Sequence, residues 1–346
     1  MRTVDFPFER LQCRPVVGEY AATQGWKREE LELGGSDLPV QIAHARYALY
    51  MPSLRLTVVD QSVVPSESTQ GAWGWEFHRR QPDFNDAGMA LQGSVDAVFV
   101  RDEVCVLTNF FSTNFYKWIT EELIKVVVLE RAGYRGKYLA VGLREYAYEF
   151  LELLGVPPER IIANAKRPMV FADCIQLTQI WERCALDHRR AYGLLRERLL
   201  QTCTSSGVRT AERLWMIRRL GAFNGRSDIV NSEEVEAVLG RYGFEMVDMA
   251  ALPLPSQIRM ANGARIMAGL HGAAFAHSLF MEPRSKVVEC FSPTHLNPGI
   301  INFCRLMRHD YSMLVPRSTH GRHPGGEEVI VDCNQLELAL QDCDAG

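Results

Sequence analysis

From about residue 95 onward, short apolar runs alternate with amphipathic stretches along the chain. DAVFV (96–100) and EVCVLT (103–108) read as two paired strands, and NFYKWITEELIKVVVLERAG (114–133) as an amphipathic helix closed by Gly133. KYLAVG (137–142) is an apolar run ending in glycine, REYAYEFLELLG (144–155) a helix closed by Gly155, and RIIANA (160–165) a short strand. Strand following helix in this way is the pattern of a parallel sheet covered by helices. Residues 180–201 carry helical periodicity in Arg, Leu and Glu, and the small polar break TCTSSG (202–207) reads as a linker.

Beyond that break the alternation restarts. RLWMIRR (213–219), FEMVDM (244–249), ARIMAG (264–269) and SKVVECF (285–291) read as strands. NSEEVEAVLGRYG (231–243) and LPSQIRMANG (254–263) read as helices, the first capped by Asn231 or Ser232 with Glu233 and Glu234 in its first turn, and HGAAFAHSLF (271–280) as the start of a third. The expected class is therefore α/β in two halves: residues 1–205, residues 206–320, and a tail, 321–346, packing back on the N-terminal half. The first 90 residues, with their prolines and the Trp-rich run from Gly71, show only scattered strand-like segments.

Composition narrows the function classes. With 47% apolar and 23% charged residues over 346 positions, the chain can bury ordinary cores in two lobes. A net charge of −4 argues against wrapping nucleic acid or lying on an anionic membrane. Asp5, Glu9 and Arg10 interrupt any apolar leader, and no run approaches the roughly 20 apolar residues of a membrane span. The expected location is the cytoplasm, including the inner face of the membrane as a peripheral protein. Nine cysteines are scattered singly, which predicts reduced thiols and no zinc framework of the CxxC kind. The only Asp-x-Asp, Asp342-Cys343-Asp344, falls at the C-terminus, and His188, His295 and His309 have no ligand spacing, so no metal site is expected.

The candidate chemistry gathers in the C-terminal half. ARIMAGLHGAAFAH (264–277) runs an apolar strand into a turn of small residues. Gly269 and Gly272 would let backbone approach a ligand, a helix N-terminus suits a diphosphate, and His271 at the junction could donate to a phosphate oxygen. Arg218 and Arg219 close the strand RLWMI, and Arg226 stands in the loop before the helix at Asn231; guanidinium groups at carboxyl ends of strands would hold a diphosphate without metal. Glu289, closing KVVE, stands where a doubly wound fold often sets an acid against a ribose hydroxyl.

Taken in order, NFYKW, IRR, NSEEVEAVLGRYGFEMVD, PSQIRMANGARIMAG, LHGAAFAHSLF and VVE resemble glycosyltransferase family 61. The resemblance implies a GT-B fold of two Rossmann-like domains facing a cleft, with an acceptor side in 1–205 and a donor side in 206–320. It implies an inverting transferase that needs no metal or other cofactor. The implied partners are a nucleotide-sugar donor and a glycan or lipid-linked glycan acceptor, with surface polysaccharide synthesis as the setting. The family's donor-side arginine falls on Arg218, its Gly-x-His-Gly-Ala on Gly269 to Ala273, and its later glutamate on Glu289. Its N-terminal motif falls on Asn114, Tyr116, Lys117 and Trp118, which would bind the acceptor side, with the acid on Glu121. This chain departs from the pattern at Lys117, where histidine is usual, at Ser232, where glutamate is frequent, and at His277, where asparagine is frequent.

An inverting transfer needs a base, and Glu121, then Glu122, are the expected candidates, with Lys117 pairing with one of them or holding an acidic acceptor. Tyr116 and Trp118 could stack on a sugar ring or sit in the core. The substitution at 117 leaves open a donor- or glycan-binding protein without turnover. A nicotinamide-dependent oxidoreductase ranks lower, because no GxGxxG follows the first strand.

Overall fold

A computed structural model describes residues 2–8, 26–31, 40–52, 55–59, 62–64, 84–85, 88–89, 93–109, 111–178, 189–203, 210–217, 228–291, 297–321 and 327–344. The chain divides into two compact units, Met1–Ala191 and Tyr192–Gly346. Both are mixed α/β structures containing parallel strands. Arg218, Arg219, Arg226 and the linker residues 204–207 lie outside the described residues.

The first unit is built on a nine-stranded sheet. Its early strands are β1 (Arg2–Phe8), β2 (Trp26–Leu31), β3 (Val40–Met51), β4 (Leu56–Val59) and β5 (Ser62–Val64), and a separate small ladder pairs β6 (Phe84–Asn85) with β7 (Gly88–Met89). The central strand is β8 (Gly93–Val106), followed by β9 (Lys137–Leu139), β10 (Ile161–Ile162) and β11 (Met169–Thr178). The main order is β10-β9-β8-β11-β3-β4-β5, with β1 paired to β8 and β2 to β3. The pairings among β8 to β11 are parallel and those of β3 are antiparallel. DAVFV and EVCVLT, expected as two strands, are halves of the single β8. Arg101-Asp102-Glu103 between them supplies none of the Gly, Pro or Asn that a tight turn favours, and the strand continues through it with a shift of register against β11 between Val100 and Glu103, as at a β-bulge.

Helix α1 (Leu123–Arg131) connects β8 to β9, and α2 (Glu145–Leu153) leads from β9 towards β10. One sheet face carries the core of Ala45, Ala48, Tyr50, Val100, Val104, Val106, Phe171 and Cys174. Helix α3 (Arg189–Thr202) contains the boundary between the units.

The second unit contains β12 (Arg213–Met216), β13 (Asp228–Ile229), β14 (Glu245–Val247), β15 (Ile266–Leu270), β16 (Lys286–Cys290) and β17 (Asp310–Leu314). Five of these form a wholly parallel sheet in the order β14-β12-β15-β16-β17. Numbered within the sheet this is 2-1-3-4-5, the doubly wound order whose switch point lies between β12 and β15. A small sheet joins β13 to β18 (Arg317–Gly321) and β19 (Glu327–Ile330).

Helices α4 (Ser232–Arg241), α5 (Leu254–Gly263), α6 (Gly299–Met307) and α7 (Cys333–Asp344) complete the unit. Val235, Val238 and Leu239 of α4 and Leu336 and Leu340 of α7 share one core with Trp215, Ala268, Val288 and Cys290 of the sheet. The 321–346 segment, expected to pack back on the N-terminal half, thus places its helix in the core of the second unit. Arg241 also pairs with Glu337 there, and Gln341 donates to the Tyr242 hydroxyl over 3.1 Å.

HGAAFAHSLF forms a 3-10 helix, Ala273–Phe280, in place of the α-helix start read from its sequence. The imidazole of His277 occupies the Ala274 carbonyl at 2.7 Å, which takes up an acceptor the next turn of an α-helix would need. Among the described residues Cys105, Cys174, Cys203, Cys290, Cys304 and Cys333 are free thiols, and no helix is long and apolar enough to cross a membrane.

Candidate functional site

Two polar clusters stand out, one in each unit. The first follows β8. Asn114 caps a single helical turn, Phe115–Lys117, its side-chain oxygen accepting from the Lys117 amide at 3.2 Å. The next five residues, Trp118–Glu122, form a π-helical turn before α1 begins. Such wide turns are rare and recur at functional sites, because the extra residue re-aims the side chains that follow. All five residues are buried, Glu121 and Glu122 among them.

The two glutamates have different surroundings. Lys117 donates to Glu121 Oε1 over 2.6 Å from one turn earlier, and its own side chain remains 26% exposed. Glu122 is held from two sides, by Lys125 at 2.9 Å and by the Asn109 amide, and Lys125 is itself almost wholly buried. Glu122 is therefore closed in by groups that are almost wholly buried, whereas Lys117 beside Glu121 reaches solvent. Tyr116 is 8% exposed and carries Lys117 Nζ 6.0 Å from its ring centre; Trp118 has no exposed surface and its indole N-H finds no hydrogen-bond partner among the described residues.

The second cluster lies at the carboxyl ends of β15 and β16. Gly269 pairs with Met216 of β12 on one side and with Glu289 of β16 on the other. A Cβ on Gly269 would stand 2.9 Å from the Met216 carbonyl oxygen, and its φ of +156° disfavours other residues. The glycine is needed for close strand pairing, while Gly272, at φ 173°, has an extended backbone open to any residue. His271 extends the ladder past β15, its amide donating to the Cys290 carbonyl at 2.8 Å. Its ring stacks on Phe291, centres 4.9 Å apart, and its Nδ1 contacts Glu289 Oε1.

Glu289 has no exposed surface, and its second oxygen accepts from the Tyr311 hydroxyl of β17 over 2.6 Å. Burial first, and then the Glu289 charge, hold the Tyr311 phenol far above its usual range, so it remains a donor. A carboxylate engaged by tyrosine on one oxygen and by imidazole on the other fixes the ring and turns its Nε2 edge away from the acid. Ala273, half-exposed, opens the 3-10 turn beside it.

The structure thus brings Lys117 and Glu121 together in one unit, and Gly269, His271 and Glu289 together in the other. It puts Glu122 and Trp118 wholly in the interior. Asn109, Lys125, Phe291 and Tyr311 were missed. Asn109 and Lys125 flank the NFYKWITEE run closely enough that helical spacing pairs Lys125 with Glu122. Tyr311 is 22 residues from Glu289 and meets it only through sheet register, for which no local signal exists.

A parallel sheet in the order 2-1-3-4-5, with a histidine and a buried acid at the carboxyl ends of its strands, makes the second unit a doubly wound α/β structure, a class in which ligands meet the carboxyl ends of the strands. The sequence model of Glycosyltransferase 61 matches residues 56–288, about two-thirds of the chain, and the protein belongs to that family. It is accordingly a glycosyltransferase, acting between a sugar donor and an acceptor. No curated protein sequence matches it. Glu289 lies just beyond the matched segment and Tyr311 further along the chain.

Proposed function

We propose that the protein is an inverting, metal-independent glycosyltransferase of the GT-B type, moving a sugar from a nucleotide-sugar donor to a glycan or lipid-linked glycan in surface polysaccharide synthesis on the cytoplasmic side of a membrane. The observation that carries this reading is the His271–Glu289–Tyr311 chain at the carboxyl ends of β15, β16 and β17. In it, His271 Nε2 meets the donor diphosphate, with Arg218, Arg219 and Arg226 supplying charge to the leaving group. Glu289 acts through His271 and makes no contact with the ribose. Gly269 allows β12 and β15 to close up beside the switch point, and Ala273 and Gly272 shape the turn.

On the acceptor side, Glu121 takes the hydroxyl proton as the acceptor oxygen bonds to the anomeric carbon and the bond to the diphosphate breaks with inversion. Glu121 is favoured over Glu122 because its partner Lys117 reaches the surface, so an acceptor that displaces the ammonium uncovers the carboxylate. Asn114 caps this turn, and Tyr116 and Trp118 support it from within. The same 2.6 Å pair favours a second reading, a donor-binding protein without turnover, in which Lys117 keeps Glu121 closed.

Thermal-shift measurements on the wild type and Arg218→Ala, with uridine, guanosine, cytidine and adenosine diphosphates, their sugar conjugates and NAD, test the donor reading. One nucleotide series should stabilise the wild type equally with and without chelator, and lose that effect in the variant. A response to NAD alone, or to nothing, overturns it. Stabilisation without sugar transfer to any glycan acceptor would select the second reading.

A further inference from the structure

We propose that His44, Glu103 and Asp173 form a binding site for one divalent transition-metal ion of the zinc class, set across three strands of the first unit. The three residues come from β3, β8 and β11, which are neighbours in the sheet. Asp173 stands opposite Glu103 in the parallel pairing, while His44 stands opposite Ile175, two places along the same face of β11. Ala45, Val104 and Cys174, which alternate with these residues, enter the hydrophobic core, so the cluster lies on the other face.

The separations within the cluster leave room for a shared ion. His44 Nδ1 lies 3.7 Å from Glu103 Oε1 and 3.8 Å from Asp173 Oδ1, and the three ligand atoms all fall within 4.8 Å of one another. These separations exceed a hydrogen bond. Tetrahedral ligands about 2.1 Å from a zinc ion are about 3.4 Å apart, so small side-chain rotations close the cluster on a metal.

A second observation concerns Asp173 alone. Its Oδ1 has essentially no accessible surface and accepts no hydrogen bond among the described residues. The Asp173 and Glu103 side chains are otherwise 39% and 35% exposed, so water screens them in part, and the second carboxylate directly across the ladder adds a repulsion that a cation would remove. Arg46, opposite Asp173 on β3, holds its guanidinium over the Tyr47 ring, 5.5 Å from the centre.

The ligand set indicates the class of ion. One imidazole nitrogen with two carboxylates suits zinc or a similar transition metal, whereas magnesium and calcium prefer oxygen alone. Three protein ligands leave a fourth position to water, and the ion ties β3, β8 and β11 together. The site uses none of the residues assigned to transfer, so removing the metal lowers the baseline stability while leaving the donor-induced shift intact.

The test uses the full chain, stripped with chelator and titrated with zinc chloride by calorimetry and thermal shift. One zinc per chain should bind, and zinc at a hundred times its Kd should raise Tm by about 4 °C. Both effects should disappear in His44→Gln and Asp173→Asn, persist in Cys333→Ser, and be absent with magnesium. Absence of saturable zinc binding in the wild type overturns the proposal. Undiminished binding in both variants also overturns it. Should the variants fail to fold, cobalt-substituted wild type decides the matter: nitrogen and oxygen ligation supports the site, and an intense thiolate charge-transfer band overturns it.

Discussion

Glu121 and Glu289 are both fully buried acids engaged by a basic side chain, yet the chain assembles them by opposite means. Glu121 meets Lys117 four residues earlier on one continuous helical segment, so the pair forms wherever that segment folds. Glu289 meets His271 from one neighbouring strand and Tyr311 from the other, so its environment exists only once β15, β16 and β17 are in register. The first acid is paired with a lysine that reaches solvent. The second is locked by a ladder, which suits an acid that orients another group rather than one that reacts.

The sharpest test of this contrast compares Glu121→Gln with its neighbour Glu122→Gln. The first should lower kcat by about 10³-fold, with the nucleotide Kd and the melting temperature little changed. The second removes the charge that Glu122 sets against the buried Lys125, and should cost roughly 3–5 kcal/mol of stability by denaturant titration. Equal kinetic losses in both, with stability intact, would end the distinction between a reacting and a structural glutamate.

The C-terminal acid should respond less steeply. Tyr311→Phe leaves Glu289 Oε2 without a donor, which costs about 1–3 kcal/mol and loosens the His271 ring. Donor affinity should weaken with it, and its pH profile should move, whereas a purely structural tyrosine would change stability alone. Gly269→Ala meets the Met216 carbonyl at 2.9 Å in a backbone conformation unfavourable to alanine, and should lose about 2 kcal/mol by urea unfolding. Unchanged stability there would mean that β12 and β15 can part without consequence.

Legibility in the sequence follows the same division. The parallel alternation, α4, α5, β15, β16 and the residues of both clusters that stand in local runs were readable, because 3.6- and 2-residue periodicities and Gly-ended strands are local signals. Tyr311 was not readable, since register is a property of the assembled sheet. Nor was the continuity of β8, where Arg101-Asp102-Glu103 is polar enough to read as a break but lacks turn chemistry. The π-turn at Trp118–Glu122 was hidden for a related reason: NFYKWITEEL has ordinary helical periodicity, and one residue of extra winding leaves no mark in composition. The placement of α7 in the second unit depends on Leu336 and Leu340, whose spacing predicts a helix face without saying which core receives it.

The smallest expected effect concerns His277, where family members frequently carry asparagine. The ring is fully buried on the 3-10 helix, between the Ala274 carbonyl and Gln257 Oε1, 2.9 Å from Nε2. Burial lowers its pKa to about 4, with the Ala274 carbonyl pulling weakly the other way. Because the unfolded ring titrates near 6.5, the unfolded chain binds the extra proton first as pH falls. Stability from this residue is therefore whole above about pH 6.5 and is lost progressively towards pH 4, by roughly 1–2 kcal/mol between pH 7 and 5. His309, whose Nε2 donates to the Ser278 carbonyl on the same helix, is shifted downwards by burial as well and adds a slope of the same sign. His277→Asn should flatten the acid limb of a Tm-against-pH curve while His309 preserves part of it. An unchanged limb would place the acid sensitivity elsewhere, and a steeper one would mean that the buried imidazole binds its proton more tightly in the folded chain than in the unfolded one.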